Sequence, residues 1–206
     1  MLENMQVKTI VTDLVASNFY IVSKNNSAIF IDPSGSSEYY QKAQEYLKAN
    51  NLDLKAVLFT HGHFDHIALG HMFKGVVPIF IHQADSAMLN SGKNLGGMFG
   101  CLVKPFEADN ILLGGETLDF GDIKVKVIHT PGHTQGSVCY VIDNCVFSGD
   151  TLFREDIGRT DLEGGDSRQI IQSIKNLYQL EGDYTVYPGH GEPTTLRHEQ
   201  ENNPYV

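Results

Sequence analysis

Basic residues are scarce in this chain. Lysine and arginine number 15 against 25 aspartates and glutamates, a formal net charge of −10 over 206 residues. A phosphate-backbone partner calls for a basic face, so no nucleic-acid partner is expected. Long apolar runs are missing as well. The longest, Val76 to Ile81, has six residues, against roughly 20 for a bilayer span, so no membrane association is expected. The opening residues MLENMQVK show no basic start followed by an apolar segment, and no secretory leader is expected. Cysteine is limited to Cys101, Cys139 and Cys145, odd in number and without a CxxC pair. That excludes a disulfide framework and predicts reduced, buried thiols and a cytoplasmic location. No tail, linker or low-complexity block interrupts the chain. With 41% apolar residues, its length suits one domain over 1–206 with a sizeable core.

What the chain does have is histidine in a telling place. Residues 60–69 read THGHFDHIAL, setting His61, His63, Asp65 and His66 within six positions just after the apolar run Ala56 to Phe59. The run reads as a short buried strand that Gly62 ends. Imidazole nitrogens and a carboxylate oxygen suit zinc, and can also hold iron or manganese. Residues two apart on an extended loop point the same way, so His61, His63 and Asp65 can converge, with His66 near the start of the next helix. The plain alternative is a polar loop with solvated histidines.

An echo in the sequence supplies further donors. Three times an apolar strand ends in a Gly-His turn: VLFTHGH at 57–63, VIHTPGH at 127–133 and TVYPGH at 185–190. Each turn delivers a histidine at a strand end, namely His63, His133 and His190. The strand Cys145 to Ser148 ends in Gly149-Asp150 and presents a carboxylate by the same device. Glycine beside each donor permits close approach of main chain to a crowded centre. Seven N and O donors from four strand ends point to a metal site. Structural zinc is usually cysteine-rich and closed, and no cysteine lies in these turns, so the set fits catalysis better.

The coarse pattern predicts strands at 7–12, 18–23 and 27–31, then an amphipathic helix over 37–50 with Tyr39, Tyr40, Ala43, Tyr46 and Leu47 on one face. Strand 56–59, a short helix over 66–73, strand 76–81 and helix 83–90 follow. Residues 91–106 carry four glycines and no clear period. They read either as a flap over substrate or as a surface connection. Strands are expected at 116–119, 123–129, 137–142 and 145–148. A helix over 167–180 follows, capped by Ser167, with Ile170, Ile171, Ile174 and Leu177 inward. Strand 184–187 and a short helix starting near Thr194 complete the chain. Strands and helices in both halves suggest two sheets packed face to face with helices outside.

The segments IDPSG at 31–35, THGHFDH, TPGHTQGS, FSGDTLF, GRTD at 158–161 and YPGHGEPTT resemble, over nearly the whole chain, metallo-β-lactamase-fold hydrolases of the small glyoxalase II-like branch. The resemblance implies an α/β fold, a four-layer αββα sandwich of two mixed sheets, with a dinuclear centre at one edge. It implies that His61, His63 and His133 hold the first metal and Asp65, His66 and His190 the second, with Asp150 bridging. Asp32 would support a ligand histidine from behind. Two divalent ions are implied, zinc first, with iron or manganese also suited. Sharing one water, such a pair can hold it as hydroxide near neutral pH. Asp65 and Asp150 would then form the catalytic set with that hydroxide.

No general acid stands ready to protonate an amine leaving group, whereas a thiol of pKa about 8.5 leaves without a proton. A small-molecule thioester is therefore the expected substrate, in line with the family's hydrolysis of S-(2-hydroxyacyl)glutathione. The chain departs from that family in two ways. The C-terminal glutathione-binding segment is not expected here, and Arg159 and Asp161 stand where a lysine and a tyrosine are usual. Arg159 could bind a substrate carboxylate; Asp161 would repel one. GRTD also resembles the persulfide dioxygenases of the same fold, in which His61, His133 and Asp150 would hold one iron. A β-lactam substrate is not expected, because β-lactamases lack a bridging aspartate at the position of Asp150. Thr134 and Ser137 are expected to fix the turn after His133.

Overall fold

The computed structural model describes residues 5–206; the first four, part of the stretch read for a leader, lie outside the described residues. One sheet is formed by β1 (Gln6–Val11), β2 (Asn18–Lys24), β3 (Ser27–Ile31), β4 (Asp53–Leu58), β5 (Ile79–His82) and β6 (Asn110–Leu112), in that spatial order. β1, β2 and β3 pair antiparallel, while β3 through β6 run parallel. The second sheet contains β7 (Thr117–Asp119), β8 (Lys124–His129), β9 (Val138–Ile142) and β10 (Cys145–Gly149). A short ribbon of β11 (Leu152–Phe153) and β12 (Asp156–Ile157) leaves it, and β13 (Thr185–Pro188) and β14 (Thr194–Thr195) complete it in the order β14-β13-β10-β9-β8-β7. Both sheets are mixed, since β10 and β13 are parallel and their other pairings antiparallel.

Strand periodicity builds the layers. In β2, Tyr20 and Val22 face the other sheet and meet Val125, Val127 and Tyr140, while Phe19 and Ile21 face outward. Successive side chains point to opposite faces, so a strand covered on both sides reads as a continuous apolar run. The outward face is covered by α1 (Ser37–Ala49) through Ala43 and Leu47, with Tyr39, Tyr40 and Tyr46 packed beside them. On the far side, Cys139, Val141 and Val146 meet Ile170, Ile174 and Leu177 of α3 (Ser167–Leu177). Helix, sheet, sheet, helix is the layering expected of the αββα class. The remaining helices are α2 (Phe64–Ile67) and α4 (Leu196–Asn202).

Several boundaries differ from the sequence pattern. The helix expected over 66–73 is α2 followed by a 3₁₀ turn at Gly70–Met72, and 83–90 is 3₁₀ rather than α. Glycine at 70 and the short spacing to β5 leave no room for a longer helix. The strand expected from 76 begins only at Ile79, after Pro78. Asp166, not Ser167, caps α3, accepting from the backbone N–H groups of Arg168 (2.8 Å) and Gln169 (3.0 Å); α3 ends at Leu177. Residues 91–106 contain two 3₁₀ turns, Gly92–Asn94 and Gly96–Phe99. The short strands β6, β11 and β12 carry too few residues to show a period. All three cysteines are free, with Cys139 and Cys145 buried. No helix among the described residues is long and apolar enough to cross a membrane.

Register carries the chain's polar residues to one edge. The pair Ile31↔Leu58 sets Asp32 beside the residues that follow β4, and Gly149↔Pro188 sets Asp150 beside Gly189 and His190. Backbone bonds from Val138 to Thr60 (2.9 Å) and from Asn18 to Gly189 (2.7 Å) stitch the sheets together there.

Candidate metal centre

Seven donors meet at this edge. His61, His63, Asp65 and His66 come from the turn after β4 and from α2, His133 from the turn after β8, Asp150 from the end of β10 and His190 from the turn after β13. His61, His63 and His133 group closely enough to share one ion, and so do Asp65, His66 and His190. Asp150 lies between the groups. Its Oδ2 is 3.5 Å from both His133 Nε2 and His190 Nε2, and its Oδ1 is 3.3 Å from His66 Nε2. His190 Nε2 is 3.3 Å from Asp65 Oδ2.

Hydrogen bonds behind the rings fix which nitrogen faces inward. Asp32 accepts from the backbone N–H of Thr60 (2.7 Å), from the Thr60 hydroxyl (2.6 Å) and from His66 Nδ1 (2.9 Å). With its own proton given to Asp32, the Thr60 hydroxyl can only accept from His61 Nδ1 (3.1 Å). His133 Nδ1 donates to the Arg159 carbonyl (2.8 Å) and His190 Nδ1 to the Val15 carbonyl (3.1 Å). Each of these four rings thereby carries a proton on Nδ1 and turns Nε2 to the centre, the nitrogen a metal ligand would use. His63 Nδ1 lies 2.9 Å from His133 Nε2. His61 Nε2, His63 Nε2 and Asp150 Oδ1 are buried and have no hydrogen-bond partner. Buried polar atoms are normally paired, so these point to a cation as the missing partner. Asp32, His61 and His66 also group within ligand distance, but both Asp32 oxygens are already engaged with Thr60 and His66, which makes it a supporting group.

The two halves differ electrostatically. Burial drives the His61 imidazole well below its ordinary value, and burial with the adjacent His133 takes His63 down to about 3. Burial opposes charge on His66 too, but Asp150 and Asp65 outweigh it and raise that ring well above the usual range. Burial would push Asp150 up; the His66 ring and a hydrogen bond from His190 reverse this and hold it well below the carboxylate range. Close approach is needed here. A Cβ at Gly189 would lie 2.1 Å from Asp150 Oδ1, so only glycine fits.

One residue carries no signal in the sequence pattern. Asp85, 1% exposed, accepts from the backbone N–H of Gly62 (2.9 Å), the backbone N–H of Gly136 (2.8 Å) and the Thr134 hydroxyl (2.7 Å). It ties the His61-His63 turn to the His133 turn across the two sheets. It stands on a 3₁₀ stretch with no histidine or glycine beside it, so nothing local marks it. Thr134 and Ser137 do hold their turn, the Ser137 hydroxyl accepting from the Thr134 backbone N–H at 3.1 Å.

A cavity of about 360 Å³ opens onto the centre, reaching His63, Asp65, His133, Asp150 and His190. Arg159 lines it, but its Nε and Nη2 each donate to Asp161 at 2.7 Å. Arg154 lies farther out, against Glu192 at 3.4 Å. Phe99, from the 91–106 segment, forms part of the wall and stacks on Phe64, with ring centroids 5.1 Å apart.

The family model of the metallo-beta-lactamase superfamily matches residues 12–190. The chain belongs to that superfamily. Among superfamily relatives, "Probable metallo-hydrolase YqgX" of Bacillus subtilis is 35% identical over 199 residues, covering 93% of each chain. The hydroxyacylglutathione hydrolase GloC of Haemophilus influenzae is 34% identical over 191 residues, 89% of this chain and 88% of that one. Of solved superfamily structures, the BLEG-1 B3 metallo-beta-lactamase superposes with a TM-score of 0.90 at 33% identity, covering 97% and 99% of the two chains. TTHA1623 in a di-iron-bound form gives 0.86 at 31%, covering 97% and 100%. ETHE1 from Myxococcus xanthus gives 0.79 at 25%, covering 97% and 83%. The chain is thus an enzyme of the superfamily's metallo-hydrolase type, with histidine and aspartate clusters suited to a divalent metal.

Proposed function

We propose that the chain hydrolyses small-molecule thioesters of the hydroxyacyl type at a centre of two divalent cations. The observation that carries this is the set of buried, inward-facing atoms without a hydrogen-bond partner among the described residues, His61 Nε2, His63 Nε2 and Asp150 Oδ1, the last with only the His66 ring beside it at 3.3 Å. His61, His63 and His133 would hold one cation, Asp65, His66 and His190 the other, with Asp150 between them. Zinc suits this nitrogen-rich set, as does iron, which the di-iron relative carries. When bound, the pair supplies a nucleophile ionised near neutral pH and positive charge against a developing oxyanion.

The chain's own groups do the rest. Asp32 and the Arg159 carbonyl keep His66 and His133 in the tautomer that presents Nε2. Asp65 and Asp150 offset part of the cationic charge and so set how strongly an anion is held. Among the described residues, no lysine, tyrosine or cysteine lines the cavity to protonate a leaving group. A thiolate, from a thiol of pKa about 8.5, needs none. The likeness to the Haemophilus hydroxyacylglutathione hydrolase supports the same bond class.

A second reading rests on GRTD at 158–161, in which the Arg159 carbonyl holds His133. A persulfide dioxygenase would use His61, His133 and Asp150 around one iron. Metal analysis of anaerobically purified protein, with assays on a hydroxyacyl thioester and a persulfide, separates the two. Two metal ions per chain with thiol release is the expected result; one iron with oxygen uptake overturns it.

A further inference from the structure

The cavity beside the metal centre carries a preference of its own. Its walls are Val15, Phe64, Phe99, Phe153, Ile157 and Leu162, all apolar, drawn from five separate stretches of chain. Phe64 and Phe99 lie nearly parallel, with 21° between planes, and Phe153 stands edge-on to His190 at 6.1 Å. Aromatic rings thus flank the ligand cluster at both Phe64 and Phe153. Leu95, held at a φ of 67°, opens the turn that carries Phe99 and also lines the space.

Charge at the cavity points the same way. Among the described residues Arg159 is the one lysine or arginine lining it, and its planar fork is filled by both oxygens of Asp161. A substrate carboxylate would have to displace Asp161 and leave that anion unpaired beside itself, which exchanges one ion pair for another and adds repulsion. Asp156, also lining the cavity, adds a further acid. Glutathione carries two carboxylates and one ammonium, and finds no unengaged lysine or arginine among the described residues lining this cavity.

We infer that the group this cavity receives beside the scissile bond is uncharged and apolar, of the size of a benzyl group, and is not glutathione. This rests on the hydrolase reading for the bond broken, while the preference itself is read from the walls alone. Apolar pockets of this size bind chiefly by burying apolar surface, with a few polar groups fixing orientation.

Binding and turnover test the two layers separately. Two unreactive thioethers, benzyl methyl sulfide and S-methylglutathione, are titrated into the metal-loaded protein by ligand-observed NMR. Benzyl methyl sulfide is expected to bind at least about tenfold more tightly, the scale of one apolar group in a fitting pocket. Phe99→Ala, at a half-exposed position away from the ligands, is expected to remove most of that advantage. Asp161→Asn, which frees Arg159, is expected to improve S-methylglutathione alone. Equal or tighter binding of S-methylglutathione to the unaltered protein, or an advantage indifferent to Phe99→Ala, overturns the inference. Turnover of the lactoyl thioesters of benzyl mercaptan and of glutathione then reports on the reaction. Hydrolysis of neither removes the hydrolase reading and leaves the binding preference standing. Faster hydrolysis of the glutathione thioester counts against the inference and for the reading.

Discussion

The floor of the site and its mouth are held by different physics. On the floor, ligand-bearing turns are clamped from behind by buried carboxylates: Asp32 on Thr60 and His66, Asp85 on Gly62, Gly136 and Thr134. At the mouth, Val15 and Phe99 are 56% and 55% exposed, and the principal polar contact is a surface ion pair. The contrast teaches that preorganisation is concentrated where donor geometry must be fixed. The mouth needs only shape and apolar surface, so it can vary without loss of the fold.

The strongest way to break the floor is to remove its shared carboxylate. Asp150→Ala is expected to lose metal and activity together, as read from metal content after dialysis and from turnover. Activity retained with both ions bound would remove its bridging role. Asp85→Ala comes next. It strands two backbone N–H groups and a hydroxyl in a buried place, at a cost of about 3 kcal/mol in urea unfolding. Loosened turns should also lower metal affinity by about 10–100-fold. Asp85→Asn recovers only part, because its amide nitrogen must face a donor.

Asp85 also gives a pH test. Burial raises its carboxyl above the ordinary value, against the pull of the Thr134, Gly62 and Gly136 hydrogen bonds. A raised folded value means its proton-linked contribution is complete below the ordinary carboxylate range and is lost as pH rises through the raised value. The difference in stability between the parent protein and Asp85→Asn, measured across that interval, should fall as pH rises, because the variant lacks this one titration.

The mouth predicts small effects. In the segment that carries Phe99, Leu102→Ser, at an exposed position, should leave stability within about 0.5 kcal/mol; a larger loss would mean that this segment is packed more firmly than its exposure indicates. The smallest effect concerns Asp161. The hydrogen bonds from Arg159 lower its carboxyl to about 2. A lowered value keeps the pair intact at all higher pH and loosens it only as pH falls through about 2. An NMR titration should find that midpoint, and Arg159→Ala should return it to the ordinary range.

Much of the floor was legible in the sequence. His61, His63, His66, His133 and His190 stand out because each lies shortly after an apolar strand and beside a glycine or another ligand, a local pattern. Asp32 was reached only through the IDPSG resemblance; its role depends on the β3–β4 register, which no local spacing encodes. Asp85 was invisible for the same reason, since its partners are 23, 49 and 51 residues away. The layers followed from strands and helices occurring in both halves and from the helical spacing of Ile170, Ile174 and Leu177. The 3₁₀ stretches did not, because apolar spacing alone does not distinguish a 3₁₀ turn from an α turn over so few residues. Arg159 lines the cavity, yet its engagement by Asp161 is a contact two residues apart that spacing leaves undetermined.

The central claim is that turns far apart in sequence meet to hold a pair of cations around Asp150. Anomalous diffraction from crystals of the metal-loaded protein tests it most directly. Two peaks are predicted, one enclosed by His61, His63 and His133 and one by Asp65, His66 and His190, each adjoining Asp150. A single peak away from Asp150, or a peak seated on Asp32, would contradict the account.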